Sequence, residues 1–466
     1  MGMAVAGLLA MMSLWPLPSP AQERLSFGDA LQRVQQRNEA LMAGHDEVRQ
    51  RDAEKAAVSG LKMPKAELDL RTSFLDADVT TPFDPIPIAY KMQNKNFTKA
   101  ELSITWPVYT GGRIKAANKA ATAKQGEAEA QLRYTGDQLV TELAQRYFGV
   151  CLARRAREVT ALKVTTMEKQ AHRAHRLMDE GIISKAETLS AEVALANANS
   201  ELEAAERDVT IASEGLGNTM AWTDPVEPAT ALFLLRGLEP KESFQNTVDD
   251  KHPVLAMLGA KRDQAHQGVK AEEGAALPTA YVFGMYELLP EGCSVVDPKW
   301  AFGFGGQYTL FDGAQNRNKV SAAKAQEDRV AHLRQKYQRD LKSLTVKRYE
   351  EMEKTREQYD SLDTTLALTA ENLRVRTRAF EEGMATSLEV VDATLLHARA
   401  QLGRLKAAYD FDTAFFQLLE SSGQTGRYQE YLARAVPVPE NDSFPAPAEP
   451  PLIEPLKKKP AETKSK

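Results

Sequence analysis

The sequence predicts a mainly α-helical fold with a small β part, built from long antiparallel coiled-coil helices and four strands per chain. Three observations carry that reading. Ala100, Leu102, Ile104, Trp106 and Val108 are apolar, while Lys99, Glu101, Ser103 and Thr105 between them are polar; a period of two is a strand with one greasy and one wet face. After the turn Tyr109-Thr110-Gly111-Gly112, no proline occurs until Pro225. Arg113 to Met178 then reads as one helix, about 100 Å long at ~1.5 Å per residue. Both features occur twice. Val108-Tyr109-Thr110-Gly111 returns as Leu310-Phe311-Asp312-Gly313, and Gly181 and Glu187 return as Gly383 and Glu389, all at 313 − 111 = 202 residues. The chain is a tandem repeat.

The 466 residues carry a net charge of −5, too mild for a nucleic-acid binder. Mean hydropathy is −0.42, which leaves no room for transmembrane helices in the body of the chain. The one strongly apolar run, Met3 to Leu17, precedes Ser19-Pro20-Ala21-Gln22. Residues 1–21 therefore read as a secretory signal, although no Lys or Arg precedes the run. Cys151 falls in the long helix and Cys293 in a loop. They are expected to lie too far apart to bridge, so no disulfide framework is implied.

The first repeat spans 22–241. Leu25 to Gly60 is its first helix, with Ser26 as cap and Asp29 three residues on. Pro64 ends it. Strand 65–74 places Ala66, Leu68, Leu70, Thr72 and Phe74 on one face and Lys65, Glu67, Asp69, Arg71 and Ser73 on the other. Residues 76–98, with Pro82, Pro85 and Pro87, read as a loop. Strand 99–108 follows, then the long helix 113–178. Its Leu132, Leu139, Leu143 and Tyr147 suggest a coiled-coil seam rather than a globular core. A return helix, 184–214, is stopped by Gly215 and Gly217, and 215–241 is irregular. The second repeat, 242–436, has a helix to Gly274, strand 279–286, loop 287–299 and strand 300–311 with Phe302, Phe304, Tyr308 and Leu310 on one face. A long helix, 317–380, and a return helix, 387–420, complete it. The Pro-, Glu- and Lys-rich stretch 437–466 reads as a disordered tail.

Strands of about ten residues are long enough to cross a bilayer when tilted. Their apolar faces, Leu68, Leu70, Phe74, Leu102, Ile104, Trp106, Phe302, Phe304 and Tyr308, suit lipid and its interface. Open sheet edges cannot face lipid, and small barrels begin at about eight strands. The barrel must therefore be shared: three chains give twelve strands and room for a channel. The rival from another class is a periplasmic coiled-coil spacer or envelope tether without a pore.

The repeated strand–Gly–long-helix junctions, Ile104 to Arg113 and Tyr308 to Gly313, resemble the TolC-like outer-membrane efflux protein family. So do the helix tips Arg176–Glu187 and Arg378–Asp392. The resemblance covers about 25–430. It implies a homotrimer in the outer membrane with a long periplasmic α-barrel. It implies docking to a periplasmic adaptor and to an inner-membrane pump or ABC exporter, in drug or metal efflux or type I secretion. It places a periplasmic gate at Glu389, Asp392 and Glu187. The basic residue that ties the first-repeat acid in the best-known members is Ala385 here, with Arg378 or Arg176 as substitutes. Adaptor-facing tips map to Arg176, Gly181, Ile182, Ile183, Arg378, Gly383 and Met384.

His172 and His175 have helical spacing but no third ligand, so no metal site is read. Gly303-x-Gly305-Gly306 lacks the strand–turn–helix of a phosphate loop and suits the inner face of a barrel better. No nucleophile–base arrangement has credible context. Neither an enzyme nor a cofactor is expected.

Overall fold

The computed structural model describes residues 23–83, 88–223, 226–289 and 298–439. The signal segment, Pro85, Pro87, Cys293 and residues 440–466 lie outside them. The chain opens with β1 (Glu23–Leu25), α1 (Phe27–Arg37) and α2 (Glu39–Gly60). Ser26 caps α1 by accepting from the Asp29 amide at 3.2 Å. The single helix expected over 25–60 is interrupted at Asn38. Its backbone turns extended, its Oδ1 caps α2 by accepting from the Ala40 amide at 3.0 Å, and its Nδ2 donates to Thr219 O at 3.2 Å.

β2 (Lys65–Phe74) leads into a hairpin, β3 (Val79–Phe83) and β4 (Ile88–Gln93), where the sequence suggested loop alone. Pro82 is tolerated there because both strands of an isolated hairpin are edges. β5 (Asn96–Tyr109) feeds α3 (Arg113–Asp179), and α4 (Lys185–Thr219) returns. Gly215 and Gly217 lie inside α4 and do not stop it. A Cβ at Gly217 would sit 2.7 Å from Trp222 O, and one at Gly215 would sit 3.2 Å from an Arg146 guanidinium nitrogen. These glycines allow close approach, and the helix ends at Met220.

β6 (Val226–Pro228) pairs parallel with β1, and β7 (Phe233–Leu234) follows. α5 (Lys241–Lys251) and α6 (Pro253–Ala275) are separated at His252 as α1 and α2 are at Asn38. β8 (Thr279–Glu287) and β9 (Trp300–Gln307) come next. β9 ends before Tyr308 and Leu310, so the expected strand to residue 311 is too long. α7 (Gln315–Glu381), α8 (Ser387–Ser422), a 3-10 turn (Thr425–Arg427), α9 (Tyr428–Leu432) and β10 (Val436–Pro437) finish the chain. β10 corrects the expectation of disorder from Pro437: it pairs antiparallel with β7, and buried Val438 donates to Leu232 O at 2.8 Å.

The two repeats superpose in register with two offsets. From α1 to β2 the offset is 252 − 38 = 214 residues; from α3 to α4 it is 386 − 184 = 202. The difference, 214 − 202 = 12 residues, falls between the two strands of each repeat, where the first repeat carries the β3–β4 hairpin.

The main core is at the waist. Phe27, Tyr147, Phe148, Phe233, Phe411, Phe415, Phe416 and Tyr431 are almost wholly buried in one cluster with Leu139 and Leu143. At this height the expected coiled-coil seam is a globular aromatic core, with Leu132 packed at its edge. Tyr147 ties it down: its hydroxyl donates to Leu25 O at 2.7 Å and accepts from the Thr230 amide at 2.8 Å. Cys151 is a packing residue; burial pushes its thiol up to about 12.

Candidate functional site: sheet wall and helix tips

The antiparallel sheet runs β2-β5-β8-β9. Its register puts Ala66, Leu68 and Leu70 opposite Ile104, Leu102 and Ala100. Leu102, Ile104 and Trp106 lie opposite Tyr286, Gly284 and Val282, which in turn face Trp300, Phe302 and Phe304. Directly paired residues share a face, so the alternation read in β2, β5 and β9 adds up, across β8, to one continuous apolar face. That face is bare: Leu68 is 64%, Phe74 77%, Phe302 73% and Phe304 84% exposed. Leu70, Leu102, Ile104 and Trp106 are exposed too, and Trp106 Nε1 donates to Lys62 O at 2.9 Å at the helical end of the sheet. Tyr308, beyond β9, is exposed but not on the ladder.

The opposite face is polar along β2 and β5, where Lys99 pairs with Glu101 at 3.1 Å. On β8 and β9 it is aromatic over glycine. Phe283 and Tyr281 lie opposite Gly303 and Gly305, and a Cβ at either glycine would run into the facing ring. Close approach of a ring thus accounts for Gly303 and Gly305. No described helix is long and apolar enough to cross a membrane.

At the far end, α3–α4 and α7–α8 turn through the same pair of closing hydrogen bonds. Gly181 and Gly383 hold φ of 75° and 72°. The Gly181 amide donates to Met178 O at 2.9 Å and the Ile182 amide to Leu177 O at 2.8 Å. The Gly383 amide donates to Phe380 O at 3.1 Å and the Met384 amide to Ala379 O at 2.8 Å. This doubled closure of a helix end needs a left-handed residue, which glycine supplies without steric cost. Ile182 and Met384 project outward, 60% and 72% exposed. Ile183 packs inward against Ala171, Ala174 and Ala191, so it braces the turn. Ala385 fills the equivalent slot beside Leu373 and Phe380. Arg176 and Arg378 are exposed in the last helical turns, and Arg378 pairs with Glu382 at 3.5 Å.

The acidic residues of the tips stand in three different settings. Glu389 is the third residue of α8 and closes a capping box: its amide donates to Thr386 Oγ1 at 3.3 Å, and its Oε2 accepts from the Thr386 amide at 2.8 Å. Its Oε1 accepts from Arg376 Nη1 at 2.7 Å. The Thr386 amide first, and then the Arg376 charge, hold the Glu389 carboxyl below the usual carboxylate range. Arg376 is the basic partner of Glu389, a pair that sequence reasoning missed. Glu187 is half-buried at the start of α4, where Ser184 accepts from its amide at 3.3 Å. Asp392 is exposed one turn beyond Glu389. Two further contacts bind the repeats near the tips: Arg173 to Glu381 at 2.9 Å, and buried Gln170 Nε2 to Ser387 Oγ at 3.1 Å. His175 pairs with Glu192 at 2.8 Å, and no metal-holding cluster occurs among the described residues.

A sheet apolar on one face, carried on helices of 67 residues, is the architecture of an outer-membrane channel with a periplasmic helical extension. The chain belongs to the outer membrane efflux protein family, whose model matches residues 30–221 and 248–424. Protein CyaE of Bordetella pertussis is 22% identical over 427 residues, 89% of this chain and 87% of that protein. Among solved structures, a membrane protein from Pseudomonas aeruginosa aligns with a TM-score of 0.74 at 16% identity, over 85% of this chain and 90% of that one. The CmeC outer membrane channel of Campylobacter jejuni aligns with a TM-score of 0.73 at 13% identity, over 88% and 89%. Family membership decides against the pore-less tether and against an enzyme.

Proposed function

We propose that three copies of the chain close a twelve-stranded barrel in the outer membrane. Together they form a passive exit duct that opens at the Gly181 and Gly383 tips. The observation that carries this reading is the pair of free sheet edges. β2 and β9 are the outer strands of an antiparallel ladder of four, so they run in opposite senses. A second copy can add its β2 to β9 antiparallel and leave the same edge open again. The internal repeat describes the matching helix contacts. α6 packs on both α3 and α7, whereas its counterpart α2 packs extensively on α3 alone. Its other flank is where α7 of the next copy fits.

Within that assembly Leu68, Leu70, Phe74, Leu102, Ile104, Trp106, Phe302 and Phe304 face lipid, with Tyr308 at its border. Glu389, Asp392 and Glu187 line the periplasmic mouth. Ile182 and Met384, with Arg176 and Arg378 beside them, meet a periplasmic adaptor that links the duct to an inner-membrane pump or ABC exporter. The same duct serves efflux or type I secretion, with energy supplied by those partners. Opening is a shift in helix packing at the tips. The Arg376–Glu389 pair is a latch within one hairpin.

The test is reconstitution of the mature protein. Heat-modifiable trimers that need detergent and conduct in planar bilayers are expected; a water-soluble monomer without conductance refutes the duct. In the same bilayers Glu389→Gln with Asp392→Asn is expected to raise ion leak or weaken cation preference. Unchanged conductance and selectivity would remove the gate assignment.

A further inference from the structure

The polar face of the sheet has one acidic level. Asp69, Glu101 and Glu287 are direct cross-strand partners on β2, β5 and β8. Along β2 and β5 the charges on this face alternate, Lys65 with Glu67, Asp69 with Arg71 and Lys99 with Glu101, so the acidic pair Asp69–Glu101 lies beside a basic pair, Arg71 opposite Lys99. Glu287 breaks that balance. It is the only charged residue of β8, it stands beside Glu101, and the backbone amide of Glu287 spends its hydrogen on Lys299 O at 2.9 Å. Its side chain is buried, with 4% of the residue exposed, and Oε1 has no hydrogen-bond partner. A buried carboxylate oxygen with no donor, next to a second carboxylate, is relieved by a cation.

The spacing says which kind. Neighbouring strands are ~4.8 Å apart, so the three carboxylates spread along the wall rather than converge. No three acidic or metal-ligating side chains among the described residues are placed to chelate a metal. The row therefore favours mobile monovalent cations over a bound divalent ion.

We propose that Asp69, Glu101 and Glu287 form a cation-selecting belt inside the barrel, separate from the helix tips. This rests on the closed barrel proposed above, in which three copies repeat the row at one level around the lumen. The belt acts by raising the local concentration of cations and repelling anions in a wall of low dielectric.

The experiment is a reversal-potential measurement in a KCl gradient across a planar bilayer. It uses the full-length mature protein in a Glu389→Gln, Asp392→Asn background, which removes tip carboxylates. Adding Asp69→Asn, Glu101→Gln and Glu287→Gln is expected to lower the potassium-to-chloride permeability ratio by about threefold or more with the channel still conducting. An unchanged ratio overturns the belt. Glu101→Lys alone guards against misassembly of the triple variant; it is expected to shift the potential toward anion preference, and no shift overturns the proposal. Failure of the unmodified protein to trimerise or conduct would instead strike the barrel reading, a different result from a conducting pore indifferent to these residues.

Discussion

The two helix tips share a backbone and differ in what locks it. Both turn through a left-handed glycine and the same pair of amide bonds. Only the second closes a capping box and adds an arginine: Glu389 is held by Thr386 and Arg376, while Glu187, 389 − 187 = 202 residues earlier, keeps just the Ser184 cap. The waist repeats the lesson. Asn38 and His252 break the first helix of each repeat at equivalent places and cap the next one through a side-chain acceptor, but only one of the two can take a proton. Duplication fixed the geometry, and substitutions within it set how each copy responds to pH and charge.

The largest effect is expected at the waist. Burial lowers the His252 pKa from 6.5 to about 4, with Nδ1 accepting from the Val254 amide at 3.2 Å. The folded value lies below the unfolded one, so stability is complete above pH 6.5 and is lost as pH falls toward 4. The loss is roughly 3 kcal/mol per chain. His252→Asn, which copies Asn38, should keep the cap and abolish that part of the acid sensitivity in a pH series of denaturant melts. A retained slope would place the titration elsewhere.

Next come the glycines. A Cβ at Gly181 or Gly383 meets nothing within 4 Å, so Gly181→Val and Gly383→Val should suffer backbone strain alone. About 1–2 kcal/mol of local stability is expected at each, read as faster proteolysis at the tip. Unequal losses would show that the shared turn is supported differently in the two copies. The smallest effect concerns the latch. Thr386→Ala should loosen the second tip by about 1 kcal/mol. Because the Glu389 carboxyl is depressed, its share of protection is present above the ordinary carboxylate range and fades as pH falls through the lowered value. Acid should therefore speed cleavage at the second tip more than at the first, and Glu389→Gln should level the two. Equal acid responses in the unmodified protein would dissolve the contrast.

Much of this architecture was legible in the residues because its signals are periodic. β2 falls on its expected bounds, α3 and α7 start and stop within two residues of theirs, and the turn glycines sit where the offset put them. What escaped was aperiodic. Asn38 and His252 break helices without disturbing the apolar rhythm on either side. Gly215 and Gly217 look like terminators because close packing and helix arrest call for the same residue. β10 is too short to alternate. Arg376 reaches Glu389 only because the turn at Gly383 folds two helices back on each other; residues seven before and six after that glycine are neighbours in a hairpin, a signal present in the sequence but not used.

The twelve surplus residues of the first repeat all lie beyond β2 and before β5. Everything on the helical side of the sheet is thereby insulated from changes in that outer loop. A peptide tag spliced into the β3–β4 hairpin should leave each strand facing as it does now. A single extra residue between Gly60 and Lys65 would turn β2 inside out, presenting lysine to lipid and leucine to water.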